Sequence, residues 1–113
     1  MPKCHAFGIV FDSGLERDRY LVLRAMQDAG EIANLEAQPV LTMAAAFVDP
    51  AGHKWQMVTY TPDFSYTEGG IRVYEEVKPA SRHAPSVTRR DWKVRQAWAA
   101  RIYPLAVFRT VSI

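Results

Sequence analysis

Residues 61–78 read TPDFSYTEGGIRVYEEVK and hold a carboxylate after a proline, Asp63, then Glu75, Glu76 and Lys78 at the end of an alternating run. In a strand, alternate side chains share a face. Ile71, Val73, Glu75 and Val77 then face one way, and Arg72, Tyr74, Glu76 and Lys78 the other. Glu76 and Lys78 point together, and a turn between Asp63 and this strand can bring Asp63 beside them. Two carboxylates and an ammonium on one surface suit phosphodiester chemistry. Hard divalent cations such as Mg²⁺, or Mn²⁺ in its place, take oxygen ligands. Such an ion acidifies a bound water and balances charge at phosphorus. The lysine orients the water or adds positive charge, and the Val77 carbonyl is a further candidate ligand. The competing reading is a solvated hairpin, with Asp63 starting a turn and Glu76 and Lys78 on an exposed strand face.

The elements that must position these residues are legible in outline. A helix is expected over 13–29, with Ser13 as N-cap, Glu16 three residues on as in a capping box, and Gly30 ending it. Leu15, Val22, Met26 and Ala29 form its expected apolar stripe, with Arg17, Asp18 and Arg24 off it. Residues 40–48 and 54–60, separated by DPAGH, read as a hairpin. Residues 65–66 continue extended, TEGG turns the chain, and 71–77 form a third strand. A Pro-containing loop follows over 79–87, then a helix from Thr88 to about Ile102, then a strand over 105–111 after Pro104. This order predicts an α/β fold: one domain over 1–113, a central mixed β-sheet flanked by helices. Residues 1–12 are either a short strand or an N-terminal arm exchanged with a partner.

Composition narrows the function classes. Hydrophobic residues at 49% are enough for a core. No apolar run approaches the roughly 18 residues of a membrane span, no signal-peptide pattern appears, and a cytoplasmic location is expected. Cys4 is the only cysteine, which excludes an intrachain disulfide and disfavours zinc. The net charge of +2 conceals an asymmetry: residues 78–113 carry eight Lys/Arg against Asp91, a net +7, leaving −5 on the first 77 residues. A basic third beside an acidic remainder fits a polyanion-binding face next to a carboxylate cluster, or a plain solvated helix.

Pro62-Asp63 followed after twelve residues by Glu76-Val77-Lys78 matches the PD-(D/E)XK nuclease signature. SGLE at the start of the first helix, YTPDF, and a late basic helix ending at Tyr103-Pro104 before a terminal strand extend the likeness over nearly the whole chain. With these features the chain resembles small phage- and prophage-encoded junction-resolving endonucleases. The resemblance implies a restriction-endonuclease-like fold and Mg²⁺-dependent DNA cleavage, with branched DNA such as a Holliday junction as substrate. A symmetric double cut implies a homodimer. It makes Glu16, Asp63 and Glu76 metal ligands and Lys78 the catalytic lysine, and it favours Lys93 facing the site. Where the family often has glycine after the lysine, this chain has Pro79.

Several residues keep two readings. Glu16 caps a helix or holds metal, and a metal role predicts that its capping contact is absent or weak. Glu75 falls on the apolar parity, so either that strand end is exposed or Glu75 has a partner. Trp92, Trp98 and Tyr103 stack on bases or build the core. Lys93 and Arg95 contact phosphate or only solubilise their helix. Arg82, Arg89 and Arg90 read as loop residues that touch a DNA backbone. Gln38 reaches the site or makes a turn. The rival functions are a non-catalytic or nicking DNA-binding phage accessory protein and an assembly protein with no DNA role.

Overall fold

The computed structural model describes residues 3–79 and 86–113, the side chains of 86–91 excepted. Strands β1 (Cys4–Ala6) and β2 (Ile9–Phe11) form a short antiparallel hairpin ahead of helix α1 (Gly14–Asp28). Residues 4–11 thus contain two short strands, as the strand reading of this segment expected. Beyond α1 lie β3 (Ala33–Ala37), β4 (Leu41–Ala44), β5 (Phe47–Val48), β6 (Lys54–Trp55), β7 (Val58–Tyr60), β8 (Phe64–Glu68) and β9 (Ile71–Lys78). Helix α2 (Ser86–Ile102) and β10 (Val107–Ser112) complete the chain.

The central sheet has the order β10-β9-β8-β3 and is mixed. Strands β8 and β9 are antiparallel and joined by Gly69-Gly70, whose φ values of 57° and 79° are the left-handed pair a two-residue hairpin loop demands. Strand β10 runs parallel to β9, from Val107 beside Val73 to Ser112 beside Lys78. A parallel neighbour requires a long crossover, and α2 supplies it. Helix α1 packs against the face carrying Val73 and Val77, in a core with Phe11, Tyr20, Leu23, Ile32, Phe64 and Tyr66. On the other face Ala99 of α2 packs with Leu41, Met43 and Tyr60, flanked by Tyr74 and Phe108. The expected α/β architecture with a central mixed sheet and a helix on each side is therefore present.

Three details depart from expectation. Strand β3, ANLEA, gave no strand signal, because it is polar and has a bulge around Asn34 at φ 56°. Its place is fixed from outside, by pairing with β8 and by the Leu35 N–H donating to Gln27 Oε1 at 2.8 Å. Second, the buried residues of α1 are Tyr20 and Leu23, whereas Val22 is half exposed. The buried stripe is rotated because Arg19 belongs to it. Third, α2 begins at Ser86, so Arg89 and Arg90 are helical and not loop residues; their side chains, and all of Arg82, lie outside the described residues.

Arg19 is drawn inward by Glu75, which is completely buried. Its guanidinium donates to both Glu75 oxygens at 2.8 Å, and the Tyr66 hydroxyl donates to Oε1 at 2.7 Å. Arg109 of β10 donates in turn to the Tyr66 hydroxyl and to Glu68. Glu75 thus has a partner, and the apolar parity of β9 is kept at the cost of one buried ion pair. Removing one member of such a pair leaves the other charge buried alone, which costs about 3–5 kcal/mol. Arg19→Leu is expected to lose that much in chemical denaturation. Arg17→Ala, which breaks the exposed pair with Asp18, is expected to change stability by less than about 0.5 kcal/mol.

Candidate functional site

The last paired residues of β8 and β9 are Phe64 and Glu75. One step further, the same register sets Asp63 opposite Glu76. Proline at 62 ends the ladder there, since it has no N–H to give. The freed edge is used by Asp63, whose Oδ2 accepts the Val77 N–H at 2.7 Å. Within a strand, the N–H and C=O of one residue point to the same side. The Val77 carbonyl therefore faces Pro62, which cannot bond it, while the Lys78 carbonyl faces β10 and accepts the Ile113 N–H at 3.1 Å. Gln38 joins this arrangement through its backbone, whose N–H donates to the Asp63 carbonyl at 2.8 Å. Its side chain turns away to the Val10 carbonyl.

Glu76 is 5% exposed and held on two sides. The Tyr60 hydroxyl donates to Oε1 at 2.6 Å, and Lys78 Nζ stands 3.6 Å from Oε2. Lys78 also lies over the Trp92 ring, 4.7 Å from its centroid, which adds a cation–π contact. Thr59, Tyr60, Thr61, Glu76, Lys78, Trp92 and Arg95 line an open cleft of about 390 Å³. Trp92, Arg95 and Ala99 recur at helical spacing on the inward side of α2, and Gln96 beside them donates to Thr110 of β10. Lys93 is one residue off this stripe; it and Arg95 are both exposed. Of the two expected cations it is Arg95, not Lys93, that lines the cleft.

The electrostatics show an excess of buried negative charge. Burial pushes the Asp63 carboxyl upward first, and the neighbouring Glu76 carboxyl adds to that; the Val77 N–H and Lys78 oppose it. Glu16, at the start of α1, is raised to about 7 by burial, then by Asp63 and Asp12, with Lys78 opposing. Burial and the hydrogen bond to Glu76 also raise the Tyr60 hydroxyl. Glu16 is thus in the electrostatic field of the Asp63–Lys78 group. It is not spent on the capping box: Ser13 Oγ accepts the Glu16 N–H at 3.3 Å, but among the described residues the Glu16 carboxylate makes no return bond to Ser13.

The structure brings Asp63, Glu76, Lys78 and the Val77 carbonyl together at one strand end, with Glu16 nearby. Among the described residues, however, no three His, Cys, Asp or Glu side chains stand at metal-holding spacing. The expected three-acid ligand set is thus a close carboxyl pair with a third acid held back on the helix. The donor chemistry still fits a hard divalent cation: two carboxyls and a carbonyl that its strand neighbour Pro62 cannot bond, all oxygen, in a place where negative charge is in surplus. Tyr60 and Trp92 were not singled out for this site. Tyr60 lies in the quoted YTPDF, three residues before Asp63, and the strand parity of β7 is the signal that points it at β9. Trp92 carried only a general stacking reading.

The fold and site define an α/β protein with an acid–lysine cleft at the end of its central strand. The chain belongs to the family described as "Protein of unknown function (DUF1064)", which it matches over residues 2–104. No curated protein and no solved structure matches it significantly. No described helix is long and apolar enough to cross a membrane.

The raised carboxyls fix a pH dependence for metal-free protein. Folded Glu16 and Asp63 hold protons that the unfolded chain releases near pH 4, so their contribution is complete below about 4 and is lost as pH rises toward 7. In chelator, wild type is expected to lose about 1–2 kcal/mol between pH 4.5 and 8, after allowance for screening at half-exposed Glu16. Asp63→Asn, which keeps an oxygen for Val77, is expected to be more stable than wild type at pH 8. Thermal melts across this range measure both effects.

Proposed function

We propose that the chain is a divalent-metal-dependent DNA endonuclease with a restriction-endonuclease-like fold, acting on branched DNA as a homodimer. The observation that carries this reading is the convergence of Asp63, Glu76 and Lys78 at the end of β9, with excess negative charge beside a basic cleft wall. The order of these residues along the chain and their places on β8 and β9 support the nuclease signature seen in the sequence.

Asp63, Glu76 and the Val77 carbonyl would hold Mg²⁺, with Glu16 as the added carboxylate. When bound, the ion supplies an acidified water and positive charge at the phosphate. The chain's own groups do the rest. Tyr60 fixes Glu76 Oε1 and leaves Oε2 toward Lys78. Lys78, anchored over Trp92, directs its ammonium at the attacking water or a phosphate oxygen. As the water oxygen bonds to phosphorus and the P–O ester bond opens, the water's proton would pass to solvent and the departing oxyanion would be balanced by positive charge at the site before solvent protonates it. Arg95 draws the DNA backbone to the cleft. Val94, Trp98 and Ile102 make an exposed apolar stripe on α2, which supports pairing of two copies. The lack of a three-acid cluster among the described residues favours one second reading, a DNA-binding accessory protein that does not cut.

The test is cleavage of a labelled four-way junction and a matched linear duplex, in Mg²⁺, Mn²⁺ or EDTA. Wild type is expected to cut the junction only with metal, and Asp63→Asn to fall by about 10²-fold or more. Equal cutting of both substrates removes branch specificity. Binding without cutting in any metal moves the protein to the accessory reading.

A further inference from the structure

The hairpin that begins with β4 and β7 extends well past the core. Its pairing keeps one register from Ala44 opposite Val58 through Phe47 opposite Trp55 to Val48 opposite Lys54. The base of the hairpin is buried through Leu41, Met43 and Tyr60. The outer half is bare: residues 45–48 and 50–57 are all exposed. Phe47 is 59% exposed and Trp55 52%. Two large rings so exposed contribute little to a core, and their burial is left for a partner.

The outer half is nevertheless pre-ordered. Asp49 Oδ1 accepts the Ala51 and His53 N–H groups at 2.9 and 3.0 Å, and Oδ2 accepts the Trp55 indole N–H at 2.9 Å. This clamp fixes the turn and the indole ring together. Phe47 lies nearly parallel to Trp55, with centroids 6.4 Å apart and planes 15° apart, and His53 flanks the same indole at 6.0 Å. Aromatic faces held in advance lose little entropy on binding.

Charge indicates what binds them. Asp49 is the only acid between Glu36 and Asp63, and both its oxygens are engaged within the turn. The tip therefore presents aromatic rings, His53 and Lys54 with no free carboxylate. Rings beside cations are the surface that single-stranded nucleic acid uses, with bases on the rings and phosphates at the cations. The same hairpin leads into the candidate site, because Thr59, Tyr60 and Thr61 line the cleft with Lys78 and Arg95. Trp55 and Tyr60 are five steps of extended chain apart, about 17 Å.

We propose that residues 41–60 form a base-stacking arm. Phe47 and Trp55 receive unpaired nucleobases of a DNA strand whose phosphates cross the Lys78–Arg95 side of the cleft. The inference rests on the endonuclease reading for the identity of the polymer and narrows its substrate to DNA with unpaired bases a few nucleotides from the cut.

Fluorescence anisotropy with a labelled single-stranded oligonucleotide in EDTA tests it, because binding is then read apart from cleavage. Phe47→Ala leaves the Asp49 clamp intact and is expected to weaken binding about ten-fold, and Phe47→Ala with Trp55→Ala further still. Trp55→Phe keeps a ring and is expected to stay within about three-fold of wild type. Wild-type affinity in both alanine variants, with unchanged melting temperatures, overturns the arm. So does a double variant that becomes monomeric in sedimentation while binding DNA as before, since the rings then serve a second copy of the chain. Asp63→Asn separates the two claims. If wild type cuts nothing with any metal but the arm variants still lose binding, in Asp63→Asn as in wild type, the arm stands and the endonuclease reading fails.

Discussion

Strand β9 carries two adjacent glutamates, both buried, that point to opposite faces of the sheet. Burying a carboxylate costs several kcal/mol unless charge and hydrogen bonds answer it. The two faces answer differently. Toward α1, Glu75 receives a bidentate guanidinium and a phenol, and its demand is met. Toward α2, Glu76 receives a phenol and a lysine at 3.6 Å, while the neighbouring Asp63 adds a second carboxyl. One face is neutralised and the other is left short of positive charge. Much of the fold follows from holding this contrast. Arg19 rotates α1, Tyr60 ties the long hairpin to the sheet, and α2 brings Trp92 beneath Lys78.

A stable protein gains nothing by keeping two buried carboxyls as neighbours, and raised carboxyls are more common at working sites than elsewhere. Their position adds to this. Pro62 prevents the ladder from closing, so the strand end keeps an unpaired carbonyl at Val77 and a carboxyl, Asp63, bonded to the Val77 N–H, beside Glu76 in the cleft wall. Closing it with an ordinary residue would give a more regular sheet and a poorer place for a cation.

The sequence made the site legible at the level of parity. Alternation along β9 placed Glu76 and Lys78 together and Glu75 opposite, and the short turn at Gly69-Gly70 brought Asp63 back beside them. Helix α1, the hairpin turn at Asp49 and the final strand were readable for the same reason: capping, turn chemistry and alternation are local signals. What was not readable depends on contacts far apart in sequence. Strand β3 exists because β8 and Gln27 hold it. The buried stripe of α1 includes an arginine only because Glu75 lies 56 residues away. The choice of Arg95 over Lys93 turns on a helix phase that one residue of error reverses, and the contact of Lys78 with Trp92 joins two separate elements, β9 and α2.

The central proposal is that the Asp63–Glu76 pair binds a divalent cation. Calorimetric titration of Mn²⁺ into chelator-stripped protein, without DNA, addresses it directly. The account predicts saturable binding by wild type that is lost in Asp63→Asn and in Glu76→Gln. Equal binding by all three proteins, or none by wild type, would contradict it.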